Sequence, residues 1–530
     1  MSKLKRAILD FISGLKPVKM VITGVAFSLF LVSFSIVLRA QSQIYPIQWD
    51  LNVQKNKQLS SSDQIYHSIS KAFLNSQFDS IEIDTSGWQR RKHKGLIMRK
   101  VRNENLIVID THDFYLTIDP IFNFQFGRDM EDTSAKNLTT NTRGILVNGA
   151  IGDKLSFYTS FYENQAFFPT YLSDHINETG VVPGQGRVKG FKETGFDYAM
   201  ASGAVSYSPW KWMNVQFGHG KNFIGDGYRS LLLSDNTFNY PYLKGTFGFF
   251  QNKLQYQVMY ASLINLKRLP ATTSTEAQFI RQAGTFHTLS YAPSNKLELS
   301  LFEGVVYQNW DSTGTQPLPW NFYVPVIYLN SVVEGMSSAH AKPVLGVNLR
   351  INPFKKYMVY GQFAMDNYEV SNTGFQFGIA SYDALTLKNL TLQFEWNNVS
   401  RNMYRHANEQ NNYMHYGGYL AHPTGNDLNE LIGIVHYTFH DFFVSAKWVY
   451  SDRQTPINVD VGNGSTLQYR RSEKVTYQDY SIGYLLNHRT NMKLKLGYSG
   501  RELKAFNASE RTSWFYFSFI TDLSNVYYDF

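Results

Sequence analysis

The chain has 530 residues, no cysteine, 50 Lys and Arg against 42 Asp and Glu, and 16% aromatic residues. Without cysteine there is no disulfide framework and no Cys-ligated zinc or iron–sulfur site. The net charge of +8 invites an acidic partner, but six of the basic residues and only one acid lie in the first 40 positions; without them the excess is +3, and nucleic acid loses its main support as a ligand.

Residues 1–40 read as an export signal. Lys3, Lys5, Arg6, Lys16 and Lys19 precede an uncharged run from Met20 to Leu38, and Ala40 is a small residue suited to cleavage. That run is nearly long enough to span a bilayer, so an uncleaved anchor is the alternative. Residues 41–113 form an N-terminal segment that lies in the periplasm or acts as a plug. Ser61-Ser62-Asp63 has the chemistry of a helix N-cap, and Ile65, Ile69, Phe73 and Leu74 come after it at helical spacing, which predicts a short amphipathic helix over 64–75. The basic stretch Arg90 to Lys94 comes next.

From Phe114 to Phe530 the pattern changes to alternating strands of about ten residues, the length that crosses a bilayer at a tilt. Leu390, Leu392, Phe394 and Trp396 alternate with Thr391, Gln393, Glu395 and Asn397; Leu254, Tyr256, Val258 and Tyr260 alternate with Gln255 and Gln257. Heavy aromatic use with a mean hydropathy of −0.30 fits strands that face lipid on one side and a polar lumen on the other. Tight turns are expected at Gly152-Asp153, Ser208 to Lys211, Gln251-Asn252, Pro293 to Lys296, Asn352 to Lys355, His440-Asp441 and Asn487 to Asn491. Longer connections fall near 165–196, 220–242, 262–284, 308–342, 398–429 and 452–474. The fold class is therefore all-β: a transmembrane outer-membrane β-barrel of about 18 antiparallel strands with a short, partly helical N-terminal segment. The ending "NVYYDF" reads as a terminal aromatic strand, although the alternation slips near Asp522 to Asn525.

Within the barrel, "GHGKNFIGDGYRSLLLSDN" (Gly218 to Asn236) has the look of a phosphate loop. Its spacing excludes that: Gly220-Lys221 is followed by Asn222 with no glycine five residues before, and the third glycine of a dinucleotide fingerprint falls on Phe223. It reads instead as a barrel loop folded into the lumen. Its strand of entry points Val215 and Phe217 outward and Asn214, Gln216 and Gly218 inward. The glycines allow close approach, and Lys221, Asp226, Arg229, Ser234, Asp235 and Asn236 supply polar groups.

Phe217 to Lys244 resembles the glycine-rich signature of the Wzi-like capsule-assembly outer-membrane proteins, closest to their gliding-motility branch, RemB. Asn412 to Glu430 resembles a second stretch of that family at Asn412, Tyr413, Leu420, Ala421, His422, Pro423, Gly425, Asn426 and Glu430, with departures at Tyr419 and Thr424. Ser160 to Pro169 and the terminal Tyr527 to Phe530 are also similar. The resemblance implies an eighteen-stranded barrel closed by its loops and N-terminal helices, which anchors surface polysaccharide or supports gliding motility. Its implied partners are outer-membrane lipid, surface polysaccharide and motility or secretion proteins.

Two sets of residues stand out. Sugar binding needs aromatic faces beside amides or carboxylates, which singles out Tyr413, Tyr416, Tyr419, Asn426 and Glu430, with Trp310 and Trp320 in the loop from 308; loop aromatics can equally mark the membrane interface. The lumen set is Gly218, Gly220, Lys221, Gly225, Asp226, Gly227, Arg229, Ser234, Asn236, His422, Pro423 and Gly425, held by the inward residues Gln216, Gln393 and Glu395. No enzyme, metal or cofactor is expected: His219, His406, His415 and His422 lack the local signature of a Ser-His hydrolase, and the spacing of His415 and His422 is that of no known metal motif. The rival readings are a passive porin and an outer-membrane lipid hydrolase. "HINET" at 175–179 reads as a solvated loop tip.

Overall fold

The computed structural model describes residues 44–74, 95–132, 137–269, 278–311, 314–408, 411–460, 466–506 and 508–530. Eighteen antiparallel strands form the wall. They are β1 (Phe114–Asp129), β2 (Asn137–Ile151), β3 (Leu155–Phe167), β4 (Gly195–Trp210), β5 (Met213–Gly220) and β6 (Tyr240–Phe249). Next come β7 (Leu254–Leu269), β8 (Gln278–Ser294), β9 (Leu297–Gln308), β10 (Ala341–Ile351), β11 (Tyr357–Met365) and β12 (Thr373–Tyr382). The last six are β13 (Leu390–Val399), β14 (Leu428–Phe439), β15 (Phe442–Asp460), β16 (Thr466–Asn487), β17 (Met492–Ala505) and β18 (Ala508–Thr521). Each pairs with the next, and β18 closes on β1 from Ile520↔Asn123 to Trp514↔Asp129. Where β18 stops, the short strand Ile107–Asp110 continues the pairing on β1.

The alternation read from sequence is the alternation of the wall. On β13 Phe394 is exposed and Gln393, Glu395 and Asn397 are buried; on β5 Phe217 is exposed and Asn214 and Gln216 are buried. All seven expected tight turns join strands at one end, and an eighth, from Asp383 to Asn389, joins β12 to β13. Two expected loops are mostly strand instead. β7 and β8 take up much of 262–284, and β15 and β16, of 19 and 22 residues, take up most of 452–474. Above the bilayer both faces of a ribbon meet water, so no apolar alternation marks it there.

The N-terminal helix is displaced from its predicted place. Helix α1 spans Trp49–Ser61, and residues 62–74 are extended or irregular, with Ser70 and Lys71 pairing with Ile224 and Phe223. Tyr66, Ile69 and Phe73 are buried, while Ser68 Oγ donates to Asp226 Oδ1 (2.5 Å) and Ser70 Oγ to Gln257 Oε1 (2.7 Å). A segment enclosed by a lumen finds partners on every side, so spaced apolar residues do not require a helix. Residues 1–43 and the basic stretch Arg90 to Lys94 lie outside the described residues. Helix α2 (Leu96–Arg102) sits at the end of the tight turns, where Asn487 Nδ2 donates to the carbonyls of Lys100 (3.0 Å) and Glu104 (2.9 Å). His175 to Thr179 is no loop tip: it is the second half of helix α3 (Thr170–Thr179), which buries Leu172 and Ile176. No described helix is long and apolar enough to cross a membrane.

The C-terminus also departs from expectation. β18 ends at Thr521, and Asp522 to Phe530 form no strand but enter the lumen, burying Tyr527 and Asp529. The slip in alternation at Asp522 marks this exit from the wall. Near it the tail meets the start of α1: Gln48 Nε2 donates to Asp522 Oδ2 (3.0 Å) and the Trp49 amide to Asn525 Oδ1 (2.8 Å).

Candidate functional site: the lumen and its loops

The glycine-rich loop between β5 and β6 crosses the lumen and is fixed by inward side chains of the opposite wall. Glu395 on β13 accepts from the backbone amides of Tyr228 (2.7 Å) and Arg229 (3.0 Å), and Gln362 on β11 accepts from that of Leu231 (2.8 Å). Close approach explains two glycines. A Cβ on Gly227 would overlap the Glu395 carboxylate, and Gly225, at φ +153°, would place one 2.6 Å from Gln362 Nε2. Asp226 accepts from Ser68 Oγ and from Asn348 Nδ2 (2.9 Å), which ties the loop to residues 62–74 and to β10. Gln393 acts differently from expectation: it accepts from Trp49 Nε1 (3.0 Å) and so holds α1. Gln216 Nε2 donates to Asn214 Oδ1 (2.9 Å) within its own strand.

The two motif loops meet at Arg229, which is fully buried. Its guanidinium bonds Glu430 through Nη2 (3.0 Å) and Nε (3.3 Å), and Asp529 through Nη1 (3.0 Å). Glu430 also contacts His422 Nε2 (2.9 Å), and Asp529 also accepts from Lys447 Nζ (2.8 Å) and Tyr228 OH (2.7 Å). Burial alone would raise the Asp529 carboxyl; Arg229 and Lys447 instead hold it well below the usual carboxylate range. The second loop packs beside this cluster: Tyr413 OH donates to Leu232 O (2.9 Å), Tyr404 OH to Leu231 O (2.8 Å), the Ser234 amide to Leu420 O (2.7 Å) and Asn236 Nδ2 to Tyr419 O (3.0 Å). Gly425, at φ +80°, turns the chain after His422 and Pro423. Lys221 Nζ donates to Asp235 O (2.8 Å), beside Gly218 and Gly220 at the end of β5.

Several residues singled out for sugar binding are thus engaged inside. Tyr413 and Glu430 are buried, and Asn426 Nδ2 donates to the carbonyls of Arg401 (2.8 Å) and Met403 (2.9 Å). Tyr419 packs against the lumen core. Tyr416 is half-buried, its ring stacked on Phe238 at 4.4 Å. The side chain of Trp310 lies outside the described residues. Sequence reasoning passed over Tyr368, which is 81% exposed in the loop between β11 and β12; a lone tyrosine in a short loop carries no signal.

Trp320 is exposed, but on a different surface. The segment from Leu318 to Met336, with helix α4 (Leu329–Glu334), folds back against the outward face of β7, β8 and β9. Glu298 and Phe302 on β9 face the lumen, so Glu303 faces out. It is buried there, accepting from the amides of Tyr328 (2.7 Å) and Ser331 (2.8 Å) and from Ser331 Oγ (2.6 Å). Tyr256 OH donates to Pro325 O (3.0 Å) and Tyr260 OH to Tyr323 O (3.1 Å), while Phe322 packs on Tyr260 and Tyr307. A bare carboxylate on a lipid-facing wall is destabilising, and this flap satisfies it. Trp320, Tyr323, Val326 and Val332 then extend the lipid-facing surface. In vesicles with brominated acyl chains, the Trp320→Phe variant is expected to lose part of the quenching shown by the parent barrel. Equal quenching of the two would place the flap outside the bilayer.

His422 contacts Glu430 and Thr424, and His406 and His415 bond backbone carbonyls. His67 Nδ1 does reach Ser290 Oγ (2.7 Å), yet both are buried and Glu298 lies against the same nitrogen, not the opposite one that a triad requires. Among the described residues no group of three His, Asp or Glu side chains is placed to hold a metal ion.

No family model and no curated protein matches the sequence. Solved structures do. Wzi of Escherichia coli, an outer-membrane carbohydrate-binding β-barrel involved in group 1 capsule assembly, superposes with a TM-score of 0.56 over 91% of this chain and 100% of that one, at 14% identity. OpdK of Pseudomonas aeruginosa and OccAB2 of Acinetobacter baumannii cover 76% of this chain and 98% and 97% of theirs, at 8% and 10% identity. Their TM-scores of 0.42 and 0.41 are too low to carry an argument. At such identities the likeness is one of fold, and the fold it shows is the closed antiparallel β-barrel that Wzi also has.

Proposed function

We propose that this chain is a non-enzymatic outer-membrane barrel, exported by residues 1–40, that holds surface polysaccharide at the outer face of the cell. The carrying observation is that both motif loops fold into the lumen and are locked by the buried Arg229–Glu430–Asp529 cluster. A passive porin needs a free lumen, whereas a retaining surface needs loops held in one shape. The carbohydrate binding described for Wzi supports the same reading, and Tyr416 and Tyr368 offer ring faces on the outer loops.

The test uses intact cells carrying the parent chain or Tyr368→Ala/Tyr416→Ala. Cell-associated polysaccharide is expected to fall several-fold in the variant, with the released fraction rising and the barrel level unchanged. If polysaccharide stays associated when the whole barrel is deleted, the reading fails, and the motility branch of the resemblance, with a protein partner, takes its place.

A further inference from the structure

The loops leave part of the lumen open, as a cavity of about 1400 Å³. Asn389, His440 and Arg489 line it at the periplasmic turns, and it runs outward to Phe168, Gln185 and Tyr528. Those residues form a roof: Gln185 Nε2 donates to Tyr528 OH (2.7 Å), and Tyr171 OH on α3 donates to Tyr528 O (2.8 Å). The cavity therefore faces the periplasm, at the opposite end from Tyr368 and Tyr416.

Its wall carries amides and phenols, Asn123, Asn148 and Gln216 beside Tyr158, Tyr162 and Tyr198, among apolar side chains such as Ile121, Leu146 and Ile434. Lysines give it a sign. Lys447 is paired with Asp529, and Lys493 with Asp50 and Asp522. Lys221, Lys244 and Lys495 also line the cavity; among the described residues none of them forms an ion pair, although Asp235 lies near enough to Lys221, and Asp50 to Lys495, to act on its charge. Lys244 Nζ donates to the neutral Asn222 Oδ1 (3.0 Å) and lies over the Tyr242 ring (5.7 Å), and Lys221 Nζ donates to the Asp235 carbonyl. Holding an ammonium away from bulk water without a counter-ion is costly. Among the described residues nine cationic side chains line the cavity against the carboxylates of Asp50, Asp383, Asp479 and Asp522, so it carries an excess of positive charge, and Lys244 has no carboxylate beside it.

We propose that this cavity is a periplasm-facing binding site for an acidic oligosaccharide. Its carboxylates would meet Lys221, Lys244 and Lys495, its hydroxyls the amides and phenols, and its ring faces the tyrosines. The volume exceeds the roughly 300–1,000 Å³ that encloses a drug-sized ligand, which leaves room for several linked sugars. The inference rests on the polysaccharide reading only for the ligand class, since the site lies at the other end of the barrel.

The experiment is calorimetric titration of the detergent-solubilised full-length barrel with tetragalacturonate, maltotetraose and sodium phosphate. Tetragalacturonate is expected to bind more tightly than either control, to weaken as salt is raised, and to bind at least tenfold more weakly to Lys244→Gln/Lys495→Gln. Heat-modifiable migration shows that this variant is folded, and Lys244→Arg, which keeps the charge, is expected to retain most of the affinity. Maltotetraose binding as tightly as tetragalacturonate would overturn the proposal, as would phosphate doing so, or affinity unchanged in the double variant. Polysaccharide retention by intact cells reports the outer face alone, so either reading can fail while the other stands.

Discussion

Arg229→Met is expected to destabilise the lumen by about 3–5 kcal/mol, because it leaves Glu430 and Asp529 buried without the cation that bonds both. Methionine fills much of the volume, so the loss is chiefly electrostatic. The wall keeps its own ladder of hydrogen bonds, and the barrel should still close. The expected result is therefore a barrel that remains heat-modifiable but unfolds at lower urea and whose loops are cleaved faster by added protease. Adding Glu430→Gln and Asp529→Asn to Arg229→Met removes the orphaned charges and should recover part of the loss. Protease resistance equal to that of the parent would mean that apolar packing of Leu231, Leu232, Tyr404 and Tyr413 holds the loops without the cluster.

Removal of Val526 to Phe530 has the second large effect. Arg229 loses one of its two carboxylates, Lys447 loses its ion-pair partner, Arg501 loses the Phe530 carbonyl (2.9 Å), and the cavity loses the Tyr528 part of its roof. Truncation is expected to leave the barrel inserted and to raise its conductance in planar bilayers several-fold over the intact chain. A terminal strand of the wall would behave otherwise, since its loss would abolish closure on β1. Failure of the truncated chain to assemble at all would show that the tail is needed for assembly and not only for closing the lumen.

Much of this was legible in the sequence, and the reasons for success and failure are physical. A wall between lipid and a polar interior imposes a period of two, which is why Gln393 and Glu395 could be assigned inward beside Phe394. Turn residues such as His440-Asp441 are local chemistry and are equally readable. The lumen imposes no period. Residues 62–74 carry helically spaced apolar groups yet lie extended among Asp226, Gln257 and Glu298, and the helix formed earlier, over Trp49–Ser61, where few apolar residues announce it. The second motif is legible but the burial of its residues is not, because Tyr413 and Glu430 look alike in sequence whether they face a sugar or the groups of another loop. Trp320 posed the same ambiguity. Only the parity of β9 around Glu303 shows its loop lying against the outside of the wall.

The contact between α1 and the tail sets a timetable for biogenesis. Gln48 and Asp522 are 474 residues apart, and Trp49 and Asn525 are 476 apart. At roughly 5–20 residues per second of synthesis, the earlier partner waits tens of seconds for the later one. Through that interval Gln48 Nε2, the Asp50 carboxylate and the Trp49 amide lack the late partners they have in the finished barrel, and Lys493 itself arrives only near the end. A chain interrupted before β17 and the tail therefore lacks these contacts of α1, while those to Gln393 can already form. Helix α1, made early, is seated late, and its contacts report that β17 and the tail have been made.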